Sequence, residues 1–299
     1  MTTRGEKVCQ FIERYCLIPE GSKVGQPIKL LDFQRKFVLD VYDNPAGTSR
    51  AYLSVARKNG KSALIAAIVL AHLVGPEAKQ NSQIISGARS RDQASLVFKL
   101  AEKMVRLSDE LTKIVRIVPS QKSLVGLPCN VEYKAISAEA GTAHGLSPTL
   151  AVLDEVGQVR GPHDPFVEAI ETAQGAHHQP LLIAISTQAA TDGDLFSLWL
   201  DDAANSADPR IVSHLYTAPK DCELSDRKAW AAANPAMAQF RSQTDIEDFA
   251  AQAERLPAKA NSFRWLYLNQ RIEAQSPFLS RAEWEANNAS PNVEHGQDR

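Results

Sequence analysis

The stretch Val55-Ala56-Arg57-Lys58-Asn59-Gly60-Lys61-Ser62 carries residue types that can hold the phosphates of a nucleotide. Gly60 would let the backbone close on an anion. The Lys61 ammonium would reach β- and γ-phosphate oxygens, and the Ser62 hydroxyl would hold Mg²⁺. That chemistry needs backbone N–H groups converging at a helix N-terminus, where the helix dipole favours negative charge. The setting fits: RAYLSVA before the loop reads as a short strand, and ALIAAIVLAHLVG after it reads as a buried helix. One feature departs from the GxxxxGK[ST] pattern. Val55 stands where the first glycine should be, and Arg57 and Lys58 crowd the middle. The plain alternative is a solvated basic turn, and the strand–loop–helix order favours the nucleotide site.

A second group supports the first. TLAVLDE is an apolar strand that ends in Asp154-Glu155. A carboxylate at a buried strand end can support Mg²⁺, and its neighbour can activate an attacking water. An Asp-Glu pair can also be a simple helix-cap turn. LLIAIST ends in Ser186-Thr187-Gln188, a polar triplet that could sense a γ-phosphate or merely leave the strand. Gln34, in LLDFQRKF, carries donor and acceptor groups that could read an adenine edge, although glutamines on helices are commonly solvated. At least one further strand, 82–88 or 131–137, lies between the two motifs in the chain. That suggests the class with an additional strand between nucleotide loop and acid strand, in which a catalytic Glu sits beside the Mg²⁺-supporting Asp. It argues against small-molecule kinases.

The elements that must position these residues follow from periodicity. Residues 6–18 and the segment after LLDFQ show helical apolar spacing. Ser90-x-x-Gln93 reads as a capping box ahead of a helix carrying Ala94, Val97, Phe98, Ala101, Met104 and Val105. Strands are expected at 82–88, 131–137, 149–155 and 180–187, with a helix over DPFVEAIETA. Alternating strands and helices predict an α/β fold: a central, mostly parallel sheet flanked by helices. After about residue 215 the chain turns helix-rich, with a capping box at Thr244-x-x-Glu247 and packing anchors Trp230, Phe249, Trp265 and Tyr267. The expected division is a phosphate-loop core over 1–214, a small helical lid over 215–285 and a polar tail over 286–299. The 33 basic and 35 acidic residues leave no global basic field, so nucleic-acid contact must use local patches. Cys9, Cys16, Cys129 and Cys222 lack metal or redox spacing. No signal core or membrane-length apolar run is present, which points to a soluble protein.

The ordered set DFQRKF, SVARKNGKS, IISGARSRDQA, TAHGLSPTLAVLDE, ISTQ, WAAANPAM and LNQRIEAQSPFLS resembles the ATPase part of the terminase large subunit of tailed double-stranded-DNA bacteriophages. The resemblance covers nearly the whole chain. It implies a phosphate-loop ATPase that packs DNA into a prohead, with ATP and Mg²⁺ as ligands and the host cytoplasm as its place. It also implies a homo-oligomeric ring, of five subunits, working with a portal protein and a small terminase subunit. The family's deviant phosphate loop explains the lost glycine and makes Arg57 a candidate arginine finger acting in cis; an outward side chain touching DNA or solvent is the other reading. Some members carry an arginine shortly before the acid strand that reaches a neighbouring subunit. His144 stands near that place here, so a trans finger would fall to Arg160 or another arginine. The family's C-terminal nuclease domain has no evident room in these residues. Two other functions share parts of the pattern: a DEAD-box-like helicase, which needs a second lobe, and a nucleotide-gated DNA-binding module without turnover.

Overall fold

The computed structural model describes residues 2–138, 145–237 and 239–272. His144 and the stretch 273–299, which includes the expected tail and part of the expected lid, lie outside the described residues.

Eight strands form one sheet: β1 (Arg50–Ser54), β2 (Gln83–Ala88), β3 (Val115–Val118), β4 (Ser123–Gly126), β5 (Val131–Ser137), β6 (Pro148–Asp154), β7 (Leu181–Ser186) and β8 (Ile211–Leu215). Their order is β3-β4-β5-β2-β6-β7-β1-β8. The six strands from β5 to β8 pair in parallel, and β4 and β3 extend the sheet antiparallel. The acid strand β6 and the loop strand β1 are not neighbours, because β7 lies between them. The class with an additional strand is thus present, but the intervening strand is 181–186. Strand 83–88 flanks β6 on its other side, and 131–137 lies beyond that.

Strand alternation builds two cores. Along β7, Ile183 and Ile185 face a core formed with α1 (Arg4–Tyr15), α2 (Asp32–Tyr42), α3 (Lys61–Leu73) and α4 (Arg91–Leu107). Leu182 and Ala184 face the opposite side, where α6 (Pro165–Ala173) and α7 (Leu195–Asn205) contribute Val167, Ile170, Phe196 and Leu200. Side chains of successive strand residues point to opposite faces, so a strand apolar on both faces must be covered on both. Helix α3 is buried on almost every side, as its unbroken apolar composition requires. His72 inside it is bonded to Tyr42 (Oη to Nε2, 2.8 Å), and burial pushes its pKa down to about 3, so it stays neutral.

After β8 the chain gathers a smaller core. Helices α8 (Arg227–Ala233), α9 (Gln243–Arg255) and α10 (Pro257–Tyr267) bury Trp230, Ile246, Ala250 and Phe263 together with Ala56 of the phosphate loop. The cap of α9 is Ser242, which accepts from the Asp245 amide at 3.2 Å; the expected Thr244-x-x-Glu247 box lies inside the helix. Ser90 caps α4 as expected, accepting from Gln93 N, but the Gln93 side chain donates to Gln158 instead of closing the box. Helix α5 (Asp109–Ile114) lies between α4 and β3. No helix among the described residues is long and apolar enough to cross a membrane.

Candidate active site

The loop between β1 and α3 turns on two left-handed residues, Lys58 (φ 63°) and Gly60 (φ 78°). Gly60 occupies the N-cap of α3 and offers no side-chain cap, so the first amides of α3 remain free of intrahelical partners. They and the helix dipole face an incoming anion. A methyl in place of the Gly60 hydrogen would stand 2.9 Å from Phe240 Cζ and 3.5 Å from Gln34 Nε2. Glycine is therefore required here by backbone conformation and by close approach.

The helical region holds the upstream half of this loop. Ala56 N donates to Ala233 O (3.4 Å) and Arg57 N to Leu266 O (3.0 Å). The Asn59 side chain is buried. Its amide donates to Asn234 Oδ1 (2.9 Å) and to two loop carbonyls, and its Oδ1 accepts from Ala236 N (3.1 Å). The Asn59 side chain is thus committed to the protein's own structure. Lys58 is exposed and faces Asp245 at 3.4 Å. Arg57 is exposed, and its guanidinium makes no hydrogen bond or ion pair among the described residues.

The acid strand delivers both carboxylates to the same end of the sheet. Lys61 Nζ, almost fully buried, lies 3.7 Å from Glu155 Oε1. Glu155 adopts a left-handed conformation (φ 57°, ψ 36°). A non-glycine residue held there costs of order 1 kcal/mol and needs surrounding structure to impose it. Part of that structure is visible: Glu155 N donates to Ile185 O (2.8 Å), and Ser186 Oγ lies 3.4 Å from Glu155 Oε2 while accepting from Gly157 N at 2.9 Å. A Cβ at Gly157 would lie 2.3 Å from the Thr187 carbonyl oxygen and 2.7 Å from Ser186 Oγ. The backbone of β7 cannot yield cheaply, so Gly157→Ala should cost about 1–3 kcal/mol. Thermal unfolding checks this; an unchanged midpoint would mean the two strand exits are not packed as described.

Asp154 is buried, and its Oδ1 has no hydrogen-bond partner. A bare buried carboxylate oxygen is costly. Burial, then the Glu155 charge, raise the Asp154 pKa to about 7, against the opposing pull of Lys61. The bare oxygen is a donor that a cation such as Mg²⁺ would satisfy. It also dictates a pH response. The folded chain keeps a proton on Asp154 up to about pH 7, whereas an unfolded carboxyl releases it near 3.8. This contribution to stability is complete below the unfolded value and is lost as pH rises through the folded one. Between pH 5.5 and 8.5 the nucleotide-free chain should lose about 2 kcal/mol relative to Asp154→Asn. Buried neutral His72 gives the opposite slope in both proteins, so the difference between their denaturation curves is the measurement. Parallel pH dependences would show that Asp154 is ionised in the folded state throughout.

Ser186, Thr187 and Gln188 are all buried at the tip of β7. Of the three, Ser186 is the one whose side chain bonds the acid pair. The Gln188 side chain is committed elsewhere: it donates to Thr217 Oγ1 (3.3 Å) and to the Asn269 carbonyl, and accepts from Arg271 Nε (3.0 Å). Its backbone is held by Asn269 Oδ1 (2.7 Å) and Trp265 Nε1 (2.7 Å). Asn269, left-handed at φ 53°, also donates to Ser54 Oγ (3.0 Å) and Tyr216 O (2.8 Å). One side chain thereby joins the ends of β1, β7 and β8 to the end of α10. Sequence reasoning did not find Asn269; its only signal was its place in LNQRIE.

A phosphate loop on β1, an acid pair on β6 and β7 between them define a phosphate-loop NTPase of the additional-strand class. Residues 33–201 match the family described as terminase large subunit, ATPase domain. The chain belongs to that family. The terminase large subunit of Enterobacteria phage HK97 is 63% identical over 283 residues, 95% of this chain and 56% of that protein. The crystal structure of the HK97 bacteriophage large terminase matches with a TM-score of 0.87 at 62% identity, over 95% of this chain and 58% of the other. The large terminase ATPase domain of Thermus phage P74-26 shares the fold at 18% identity, with a TM-score of 0.58 over 82% of this chain and 94% of its own. This chain therefore spans a little over half the length of the HK97 protein.

Proposed function

We propose that this chain is an ATP-hydrolysing motor domain that drives double-stranded DNA into a viral prohead. The observation that carries the reading is the meeting of Lys61 and Glu155 at 3.7 Å beside the bare Asp154 oxygen. Lys61 and Glu155 hold each other until phosphate arrives. Lys61 then turns to the β/γ-phosphate oxygens, and Glu155 is freed to accept the proton of a water aligned with the γ-phosphorus. Asp154 and Ser62 would hold Mg²⁺, which supplies positive charge to the phosphate oxygens when bound. Gln34 stands beside Gly60 to meet the base, and the Lys58–Ser62 backbone meets the phosphates. Ser186 positions Glu155, and Thr187–Gln188 pass changes at that end of the sheet to the helical region. Arg57 acts as an arginine finger.

The core runs over 1–214, and the lid begins at residue 215. The separate small core of α8–α10 and the Asn59 and Asn269 links support a lid that moves with the nucleotide loop. Family membership supports assembly as a ring of five on a portal protein, with a small terminase subunit, in the host cytoplasm. Steady-state hydrolysis by the purified chain tests the reading. We expect Mg²⁺-dependent release of phosphate from ATP, stimulated by double-stranded DNA. ATP binding without turnover would leave a nucleotide-gated binding module in its place, and a chain that binds no ATP would end the proposal.

A further inference from the structure

The lid turn that follows Asn234 and Ala236 carries an aromatic ring to the nucleotide loop. Phe240 is half exposed, although it sits on the protein's own structure and not at a loose end. Its Cζ and Cε2 lie 2.9 and 3.4 Å from the point where a Gly60 Cβ would be, and Gln34 Nε2 lies 3.5 Å from the same point. A half-exposed aromatic ring and a buried side-chain amide therefore converge at the mouth of α3, beside the Gly60 backbone. The Gln34 amide is already oriented: its Oε1 accepts from Leu31 N at 3.0 Å, which turns Nε2 toward the loop. One lone pair of Oε1 remains, so Gln34 can both donate to and accept from a purine edge.

The turn that holds Phe240 is fixed from both sides. Asn59 of the loop bonds Asn234 and Ala236. On the other side, Arg241 is buried, bonds Asp245 at 2.6 Å and lies over the Tyr267 ring. The same Asp245 faces Lys58 of the loop. A ring on an anchored turn is a preorganised surface, which reduces the entropy lost on binding. Among the described residues, the two lid tryptophans have no free face for this role: Trp230 is buried, and the Arg160 guanidinium lies over the Trp265 ring.

We infer that Phe240 is the platform on which the purine base of the nucleotide stacks, with Gln34 reading the edge of that base. This rests on the nucleotide-binding role proposed above and assigns a lid residue to it. The base then bridges core and lid, so nucleotide occupancy is felt by the lid at the base as well as at the phosphates.

Calorimetric titration of the purified chain with ATP and with inorganic tripolyphosphate separates the possibilities, because tripolyphosphate has no base. Stacking of one base on an aromatic side chain corresponds to roughly 5- to 150-fold in affinity. Phe240→Leu, which keeps apolar bulk against Gly60 but has no π face, should weaken ATP by that factor and leave tripolyphosphate unchanged. Phe240→Tyr should restore ATP affinity, which excludes a folding defect as the cause. Equal weakening of both ligands would show that Phe240 only supports the loop. Unchanged or tighter ATP binding by Phe240→Leu would show that the ring is no platform. If the unaltered chain binds neither ligand, the nucleotide reading itself is wrong.

Discussion

Glu155→Gln should bind ATP as the unaltered chain does and hydrolyse it about 10²–10⁴-fold more slowly, the range ascribed to a positioned general base. The substitution keeps the length and planarity of the side chain and removes its charge and its ability to take a proton. Its left-handed backbone is imposed by the Glu155 N–Ile185 O bond and by the close exit of β7 past Gly157, neither of which depends on the carboxylate. Loss of the Lys61 contact frees the ammonium for phosphate, so affinity should hold or rise slightly. Measuring phosphate release beside ATP binding on the same preparation decides the matter. Turnover within a fewfold of the unaltered chain would remove Glu155 from the base role and make its neighbour Asp154 the next candidate. A parallel loss of binding would instead make Glu155 an organiser of the loop.

The parts of this site that could be read from sequence are those set by local pattern. TLAVLDE and LLIAIST are apolar on consecutive residues because β6 and β7 are covered on both faces, and such a run says strand without any knowledge of neighbours. Gly60-Lys61-Ser62 needs only a strand before it and a helix after it. What stayed hidden depends on partners far along the chain. Asn59 looks like an ordinary loop residue until Asn234 and Ala236 arrive, about 175 positions later. Asn269 is one polar residue after a helix, yet it closes three strand ends. The strand between β1 and β6 is not one of the segments that lie between the two motifs in sequence: a parallel sheet is ordered by crossovers, and β7 enters the gap from further along. Strands β3 and β4 have four residues each, and β8 is a half-exposed edge strand. None carries enough periodicity to stand out. The Thr244 box failed for a different reason: Ser242 two residues earlier satisfies the same need, since the Asp245 amide is the donor and no glutamate is required.

Arg57→Ala should lower turnover about 10³-fold or more, the scale on which an arginine finger acts, while leaving stability unchanged. The second half of that expectation makes the experiment clean. The Arg57 side chain is exposed and makes no hydrogen bond or ion pair among the described residues, and its backbone N–H is fixed to Leu266 O whatever the side chain. Truncation therefore removes the guanidinium charge without opening a cavity or orphaning a partner. Protein concentration then separates the source of the charge. If Arg57 serves its own site, specific activity of the unaltered chain is independent of concentration, and mixing it with Arg57→Ala gives the average of the two. If the arginine serves a neighbouring subunit, specific activity climbs with concentration. Mixing Arg57→Ala with Glu155→Gln then recovers turnover, because one chain brings the base and the other the guanidinium. Full turnover by Arg57→Ala alone would assign the loop arginine to DNA or solvent. The finger would then have to come from elsewhere, and Arg160 is a poor source in this arrangement, since its guanidinium is paired with Asp194 at 3.2 Å and lies over the Trp265 ring.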